Sequence, residues 1–289
     1  MTTQPDVAAE LAALMHGTAC VEETRDLILA AGADTTRFLH GQVTQNVEAI
    51  TASSTAWSLL LQPNGRLIAL LRLHRLDDET VLIDVQTGYG AAVHAALSRF
   101  LIRTKCLLTL HTSVLGFRVC TQPEGGPVGT RVISASPWPG WLLTGSGSDP
   151  IAAPVPVVSA ETTELWRVLN GEPRLGVDLT DSTIPSETGL QSVAIAFGKG
   201  CYTGQELVER IDSRGRVVRS LMRLRSDAPL HPGTPLSDET GADRGVVTSG
   251  AQLPDTTWVA IAMVRTAGGQ TIMANGCALT TLALLLDDA

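Results

Sequence analysis

The stretch that most constrains the fold is a pair of apolar runs, TAWSLLLQ and RLIALLRLHRL, which meet at Pro63-Asn64-Gly65-Arg66. Asn-Gly is the pair that two-residue hairpin turns favour, because both central positions need φ > 0. The runs therefore predict two adjacent antiparallel strands. TVLIDV, after the acidic turn Asp77-Asp78-Glu79, offers a third. GYGAAVHAALSRFLIR then carries Val93, Leu97 and Leu101 at helical spacing. Upstream, Asp34 stands where an N-cap belongs, before a helix that begins with Thr35 and Thr36 and carries Phe38 and Leu39. Two more strand-like runs, CLLTLHT and VLGFRVC, follow the second helix. A meander of strands with helices packed on it reads as α+β.

Residues 121 to 156 crowd Gly and Pro together (TQPEGGPVG, SPWPG, GSGSDP, AAPVP), which predicts loops between short strands. Ser159 then caps a helix with a Glu-rich first turn, stopped by Gly171 and Pro173. Beyond DSRGRVVRS the texture changes to short alternating runs: LMRLRS, GVVTSG, WVAIAMVR, CALTTLAL. That is the pattern of a small β-barrel or sandwich of about 70 residues. The expected organisation is a region 1–215, with room for two subdomains, and a barrel 216–289. A chain of 289 residues has the length for two domains or for one large one.

Composition excludes several function classes. Hydrophobic residues make up 44% and charged ones 17%, so a large core is available and wholesale disorder is not. Net charge is −8, with no run of Lys or Arg. This argues against direct nucleic-acid binding through phosphate neutralisation and against a polybasic membrane anchor, though not against a local basic pocket for one small anion. No stretch approaches the ~20 apolar residues of a membrane helix, and the first residues lack the basic and apolar parts of a secretory signal. The five cysteines (Cys20, Cys106, Cys120, Cys201, Cys277) are scattered and form no CxxC pair. Neither a metal site nor a disulfide framework is indicated, and a reduced, cytoplasmic protein is expected. Nothing demands more than a monomer.

The chemistry concentrates in KGCYTGQELVER, Lys199 to Arg210. Thr203-Gly204-Gln205-Glu206 fits a capping box, with Thr203 capping a helix and Glu206 reaching back to its amide. On that reading Cys201 is a small buried hydrophobe. Against it, Cys201 lies two residues after a lysine and just before a helix N-terminus, and both neighbours favour a thiolate. Three glycines (Gly198, Gly200, Gly204) keep the backbone open to a ligand. No GxGxxG follows a strand, and neither GxxxxGK[ST] nor HExxH occurs. His40 reads either as a site residue or, more commonly for a lone helix histidine, as a surface or satisfied one. Arg174, in GEPRLGVDL, is either a solvated loop arginine or a clamp for a carboxylate.

KGCYTGQE resembles the signature K-G-C-[YF]-x-G-Q-E of the YgfZ family, folate-binding proteins linked to iron–sulfur cluster assembly and repair. FLHGQVTQNV is similar to the family's FLQGQ-x-T-x-D segment, the PNGR hairpin to its P-x-G-R hairpin, and PRLGVDLTDSTIPSE to its R-x-G-x-D…P-x-E stretch. GVVTSG and AIAMVR resemble its barrel motif. The resemblance covers most of the chain except residues 112 to 160. The wider superfamily includes the T-protein of the glycine cleavage system, a tetrahydrofolate-dependent aminomethyltransferase.

The resemblance implies a T-protein-type fold: a folate-binding region with ferredoxin-like elements, then a C-terminal β-barrel. It implies a reduced folate, tetrahydrofolate, as cofactor, and iron–sulfur proteins or their assembly machinery as partners, including enzymes that thiolate tRNA. Lys199 and Cys201 match the working Lys and Cys of the motif, and Tyr202, Gln205 and Glu206 its other positions. Arg174 is the candidate for the folate's glutamate tail, and Glu187 or Gln191 for the pteridine edge. Asp34 and Gln42 fall in the segment around FLQGQ. Cys201 would act in redox or one-carbon transfer chemistry, or as a transient ligand to a partner's cluster. One cysteine cannot hold a cluster alone. Two departures stand out. Where aminomethyltransferases continue the hairpin with an Asp-Asp pair, this chain has Ala69 and Leu70, which cannot relay a proton. Asn46 also replaces the Asp common in the family. The competing readings are a folate-dependent aminomethyltransferase or demethylase of T-protein type, and an interaction scaffold with a degenerate folate pocket.

Overall fold

The computed structural model describes residues 5–52, 54–121, 130–134, 140–145, 151–214, 217–267 and 271–284. The chain runs α1 (Val7–Met15), β1 (Val21–Ala31), α2 (Thr35–His40), β2 (Thr55–Leu61), β3 (Leu67–Arg75), β4 (Thr80–Gln86), α3 (Gly90–Ser98) and β5 (Leu107–Val119). It continues with β6 (Thr130–Ser134), β7 (Trp141–Gly145), α4 (Ala160–Leu169), α5 (Gln191–Ala194) and α6 (Gln205–Arg214). The last strands are β8 (Arg219–Ser226), β9 (Pro235–Ser237), β10 (Asp243–Gln252), β11 (Trp258–Arg265), β12 (Ile272–Ala274) and β13 (Cys277–Leu282). The first seven strands form one antiparallel sheet in the order β2-β3-β4-β1-β5-β7-β6, and the last six close into a barrel. The α+β class and the C-terminal barrel are as the sequence predicts. The expected boundary at residue 215 lies outside the described residues, as do parts of the 121–156 stretch; β6 and β7 are its described strands.

The β2–β3 hairpin forms, but its turn differs from the expected one. Gly65 alone takes positive φ, at 80°, within a longer loop in which the Gly65 amide donates to Gln62 O and the Gln62 amide to Arg66 O. Proline at 63 suits the first corner of such a turn. The helix expected around Val93 ends at Ser98, leaving Leu101 outside it. CLLTLHT and VLGFRVC are not two strands but one, β5. The polar residues that read as a break, His111 to Ser113, sit at a kink where Ser113 has φ 54° and β1 carries a bulge between Arg25 and Leu27. Asp26 holds that kink. Its buried carboxylate accepts the amides of Ser113 (2.8 Å), Gly88 (2.9 Å) and Gly90 (2.9 Å), so the carboxylate supplies what the irregular backbone lacks.

The largest core cluster joins the two regions. It includes Leu59, Leu71 and Ile83 of the sheet, Leu165 and Val168 of α4, and Leu221, Val259 and Ile261 of the barrel. The barrel has its own interior as well, around Leu224, Leu236, Ala260 and Val264. Helix α4 packs on barrel strands β10 and β11 and on α1. Its Trp166 shares a core cluster with Leu14 of α1 and Val21 of β1, and its Arg167 donates to Ser249 Oγ of the barrel at 2.7 Å.

Candidate functional site

Segments far apart in sequence meet around residues 40–45. The chain leaving α2 lies between β2 and residues 193–203. Thr44 Oγ1 donates to Ala194 O (2.6 Å) and accepts the amide of Leu59 (2.8 Å), while Thr44 O accepts the amide of Ala196 (3.0 Å). Gln45 Nε2 donates to Val193 O and Trp57 O. Lys199 closes the arrangement. Its Nζ donates to the carbonyls of His40 (2.5 Å), Val43 (2.8 Å) and Gln45 (3.0 Å) and lies 4.8 Å from the centre of the Tyr202 ring. An ammonium has three N–H groups, and all three are used, so none remains for the Cys201 sulfur. Burial pulls the Lys199 pKa down to about 8, and Glu48 opposes it. Burial also pushes the Tyr202 hydroxyl up to about 12, with Glu209 adding to the effect.

The hairpin turn is the third member. Gly204, with φ 82°, packs so close to it that a Cβ there would sit 2.7 Å from Gln62 O and 2.8 Å from Leu61 Cβ. A Cβ on Gly65 would meet Leu207 at 2.5 Å. The glycines of PNG and TGQE are thus each other's packing partners. Helix α6 starts at Gln205, and the expected capping box is absent. The Thr203 amide donates to Gly41 O and its hydroxyl to Gln42 Oε1, both at 3.3 Å. Gln205, rather than Glu206, reaches back, accepting the Tyr202 amide at 3.1 Å. Glu206 is exposed in the first turn. Cys201 is exposed at the top of this platform, so the reading of it as a buried packing residue fails. His40 lies beside the loop, its Nε2 3.8 Å from where a Cβ of Gly200 would be, and burial, then Lys199, lowers its pKa.

Lys199, Cys201, Tyr202, Gln205 and Gln42 therefore come together, whereas the other sequence-predicted residues are placed elsewhere. Asp34 stands at the N-cap position of α2, but its side chain does not cap; it pairs with Arg37 and accepts the Lys105 amide at 2.8 Å. Glu187 is held by Arg219 at 2.8 Å and by the Ile184 amide at 3.2 Å. Gln191 donates to Ser186 O at 2.6 Å. Arg174 lines a different feature, a cavity of about 380 Å³ walled by β1, the end of β4, Arg118, α4 and residues 172–174.

That cavity rests on charges the sequence analysis did not single out. Asp84 is fully buried between Arg25 (Nε, 2.6 Å) and Arg72 (Nε, 2.6 Å, and Nη2). Arg118 pairs with Glu23 and Glu172; burial would raise the Glu172 carboxyl, yet the adjacent Arg118 charge holds it at about 2. Arg167 donates to Glu164 and Asp178, and Arg174 shares Glu164 with it. The signal was present in the strands: Arg72 and Asp84 are single charges inside apolar runs, and they face each other across β3 and β4. For a folate, the fit rests on particular groups. Trp166 offers a flat wall, Arg174 stands at the mouth with 42% of its side chain exposed, and the buried Thr87 hydroxyl in the wall has no hydrogen-bond partner. A ligand's polar edge would satisfy that hydroxyl. Among the described residues, no group of three or more His, Cys, Asp or Glu is arranged to hold a metal, and no helix is long and apolar enough to cross a membrane.

No protein-family model matches the chain. An uncharacterised protein of Haemophilus influenzae is 25% identical over 248 residues, covering 82% of this chain and 85% of that protein. The tRNA-modifying protein YgfZ of Vibrio vulnificus is 27% identical over 230 residues, covering 72% of this chain and 69% of that protein. A mitochondrial iron–sulfur cluster assembly factor IBA57 homolog of Mycosarcoma maydis is 26% identical over 222 residues, 69% of this chain and 55% of that protein. Among solved structures, aminomethyltransferase T of the glycine cleavage system from Bartonella henselae superposes with a TM-score of 0.76 at 18% identity, covering 95% of this chain and 87% of that one. At that identity the likeness is one of fold.

Proposed function

We propose that this chain, YgfZ-like in sequence and built on the T-protein fold, supports the assembly or repair of iron–sulfur proteins and, through them, tRNA modification. It does so by holding a reduced folate in the cavity of Arg174 and by working through Cys201. The observation that carries this reading is the platform itself. Three separated segments, held by Lys199 and by two glycines in mutual contact, present one exposed thiol. A buried structural cysteine needs no such support. The names of the relatives in Vibrio and Mycosarcoma point the same way.

The residues divide the work. Arg174 would take the glutamate tail, exchanging its Glu164 partner for the ligand's carboxylate, while Arg167 keeps Glu164 compensated. Trp166 would face the flat rings, and Thr87 would hold a polar edge. Bound folate would supply a carrier of one-carbon units or of reducing equivalents. Lys199 acts as a positioning residue: it fixes the loop carrying Cys201. Aminomethyl transfer is disfavoured because Ala69 and Leu70, at the positions of the acidic pair, are both buried in the core.

Calorimetric titration of the reduced protein with tetrahydrofolate tests the folate half of this reading. Saturable binding is expected, weakened about tenfold or more by Arg174→Ala and unchanged by Cys201→Ser. Absence of heat with the unsubstituted protein, or equal binding by Arg174→Ala, would remove the folate from the account.

A further inference from the structure

Between Asp84 and Glu124 the sequence has no Asp or Glu, although the chain carries 29 of them in 289 residues. The stretch does carry four cations. Arg118 is the buried one, paired with Glu23 and Glu172. The other three, Arg99, Arg103 and Lys105, lie in the corner that joins α3 to β5. The same corner holds the two most exposed large hydrophobic side chains of the described residues, Ile102 at 79% and Leu107 at 69%, with Phe100 at 45% beside them. A single apolar side chain on a surface needs no explanation, but three within eight residues and set among cations mark an interaction site.

The corner is tied down. Leu101 and Cys106 turn inward onto the main core cluster. Lys105 O accepts the Asp34 amide at 3.1 Å, and the Lys105 amide donates to Asp34 Oδ2 at 2.8 Å. Gly32 packs so close that a Cβ there would collide with Lys105 O. At the tip, Arg103 takes a φ of 56° and the Thr104 hydroxyl donates to Ile102 O at 3.3 Å. The backbone thus holds Phe100, Ile102 and Leu107 outward, and the core makes no use of them. None of Arg99, Arg103 and Lys105 has an ion-pair partner among the described residues. Asp34, at the base of the corner, is taken by Arg37. The acidic turn Asp77-Asp78-Glu79 stands at the same end of the sheet, but β1 separates its strand β4 from β5. Two strand spacings are about 10 Å, beyond the ~8 Å screening length at physiological salt, and Asp78 is itself paired with Arg75.

We propose that this corner docks on an anionic lipid surface, with Phe100, Ile102 and Leu107 entering the headgroup boundary and Arg99, Arg103 and Lys105 meeting lipid phosphates. Side chains this exposed stand out from the surface and offer no socket to a shaped protein partner. On a nucleic acid, three apolar tips would find nothing to bind among the phosphates. A bilayer interface takes both kinds of group at once. Apolar tips enter the acyl boundary, while the long stems of Arg and Lys lie along it with their charges among the headgroups. Three cations in seven residues are no polybasic anchor by themselves; the apolar tips supply the second half of the attachment, which is weak and reversible. The net charge of −8 on the whole chain opposes any other approach to an anionic surface and so sets the orientation. This docking depends neither on the folate nor on Cys201.

The test is sedimentation of the full chain with vesicles of phosphatidylcholine, alone or mixed with phosphatidylglycerol. Saturable binding is expected to the mixed vesicles, much weaker binding to phosphatidylcholine alone, and release at high salt. Each cation near an anionic surface is worth about fivefold in affinity, so Arg99→Gln with Lys105→Gln should weaken binding about 25-fold. Ile102→Ser should weaken it about tenfold. Both changes fall on exposed side chains, so the melting temperature should stay as it was. Ile102→Trp should keep binding and add a blue-shifted fluorescence on the mixed vesicles. Met15→Ser, at an exposed apolar side chain far along the chain on α1, should change nothing. The proposal is overturned if neither vesicle binds the chain, if both bind it equally, or if Ile102→Ser weakens binding no more than Met15→Ser does. It is also overturned if the chain ignores vesicles but self-associates through a contact that Ile102→Ser abolishes, which would give the corner to a second copy.

Discussion

The Cys201 platform and the Arg174 cavity are built by opposite means. The platform is held by hydrogen bonds to backbone carbonyls and by glycine contacts, with a single cation, Lys199, at its centre. The cavity is held by ion pairs: Arg25 and Arg72 on Asp84, Arg118 on Glu23 and Glu172, Arg167 and Arg174 on Glu164. Backbone carbonyls can fix a loop while leaving its tip free to meet a partner. Paired buried charges instead fix the walls of a cavity and leave no group unbalanced until a charged ligand exchanges places with one of them.

The largest effect should come from breaking the cavity at its base. Asp84→Asn leaves Arg25 and Arg72 without their shared carboxylate, and losing one partner of a buried pair costs about 3–5 kcal/mol. Chemical denaturation should show that loss, and a cost near zero would mean the network is not what holds the cavity. Next comes Gly204→Ala on the platform. Its φ of 82° and the 2.7 Å approach to Gln62 O leave no room for a methyl group, and strain of this kind costs about 1–3 kcal/mol. Hydrogen exchange at residues 40–45 should quicken more than at the sheet.

The two regions should also respond at opposite ends of the pH scale. Glu172 has a folded pKa of about 2, below its ordinary 4.5. Its contribution is full above 4.5 and is lost as pH falls toward 2. Lys199 has a folded pKa of about 8, below its ordinary 10.5. The folded chain releases that proton first, so this contribution is full above 10.5 and is lost as pH falls to 8. Stability measured against pH should therefore flatten on the acid side in Glu172→Gln and between 8 and 10.5 in Lys199→Met. Swapped effects would show that the assignments are wrong.

The difference in construction also explains what could be read from the sequence. The platform was legible because its parts are short contiguous motifs, PNGR and KGCYTGQE, whose glycines announce close backbone approach. Even so, the sequence misassigned its details. Thr203 bonds to Gly41 and Gln42 rather than capping α6, and Lys199 spends its donors on carbonyls rather than on the thiol. Both depend on the segment after α2, about 160 residues upstream in the chain. The cavity was legible only at Arg174. Its other arginines and carboxylates come from β1, β3, β4, β5, α4 and the loop after α4, and the sheet order β3-β4-β1-β5 brings those of the strands side by side. Asp34 and Glu187 were candidates for the folate only through the resemblance. In the structure they tie the α3–β5 loop and Arg219 in place.

The smallest expected change in stability falls on the residue with the largest expected role. Cys201 is exposed, and surface substitutions away from packing features stay within about 0.5 kcal/mol. The most direct test uses cells that lack this chain and carry the unsubstituted or the Cys201→Ser form, with the activity of an iron–sulfur enzyme measured in each. The account predicts that Cys201→Ser, with an unchanged melting temperature and unchanged affinity for tetrahydrofolate, fails to restore that activity. Full restoration by Cys201→Ser would contradict it, and would leave the platform a structural joint with no chemistry of its own.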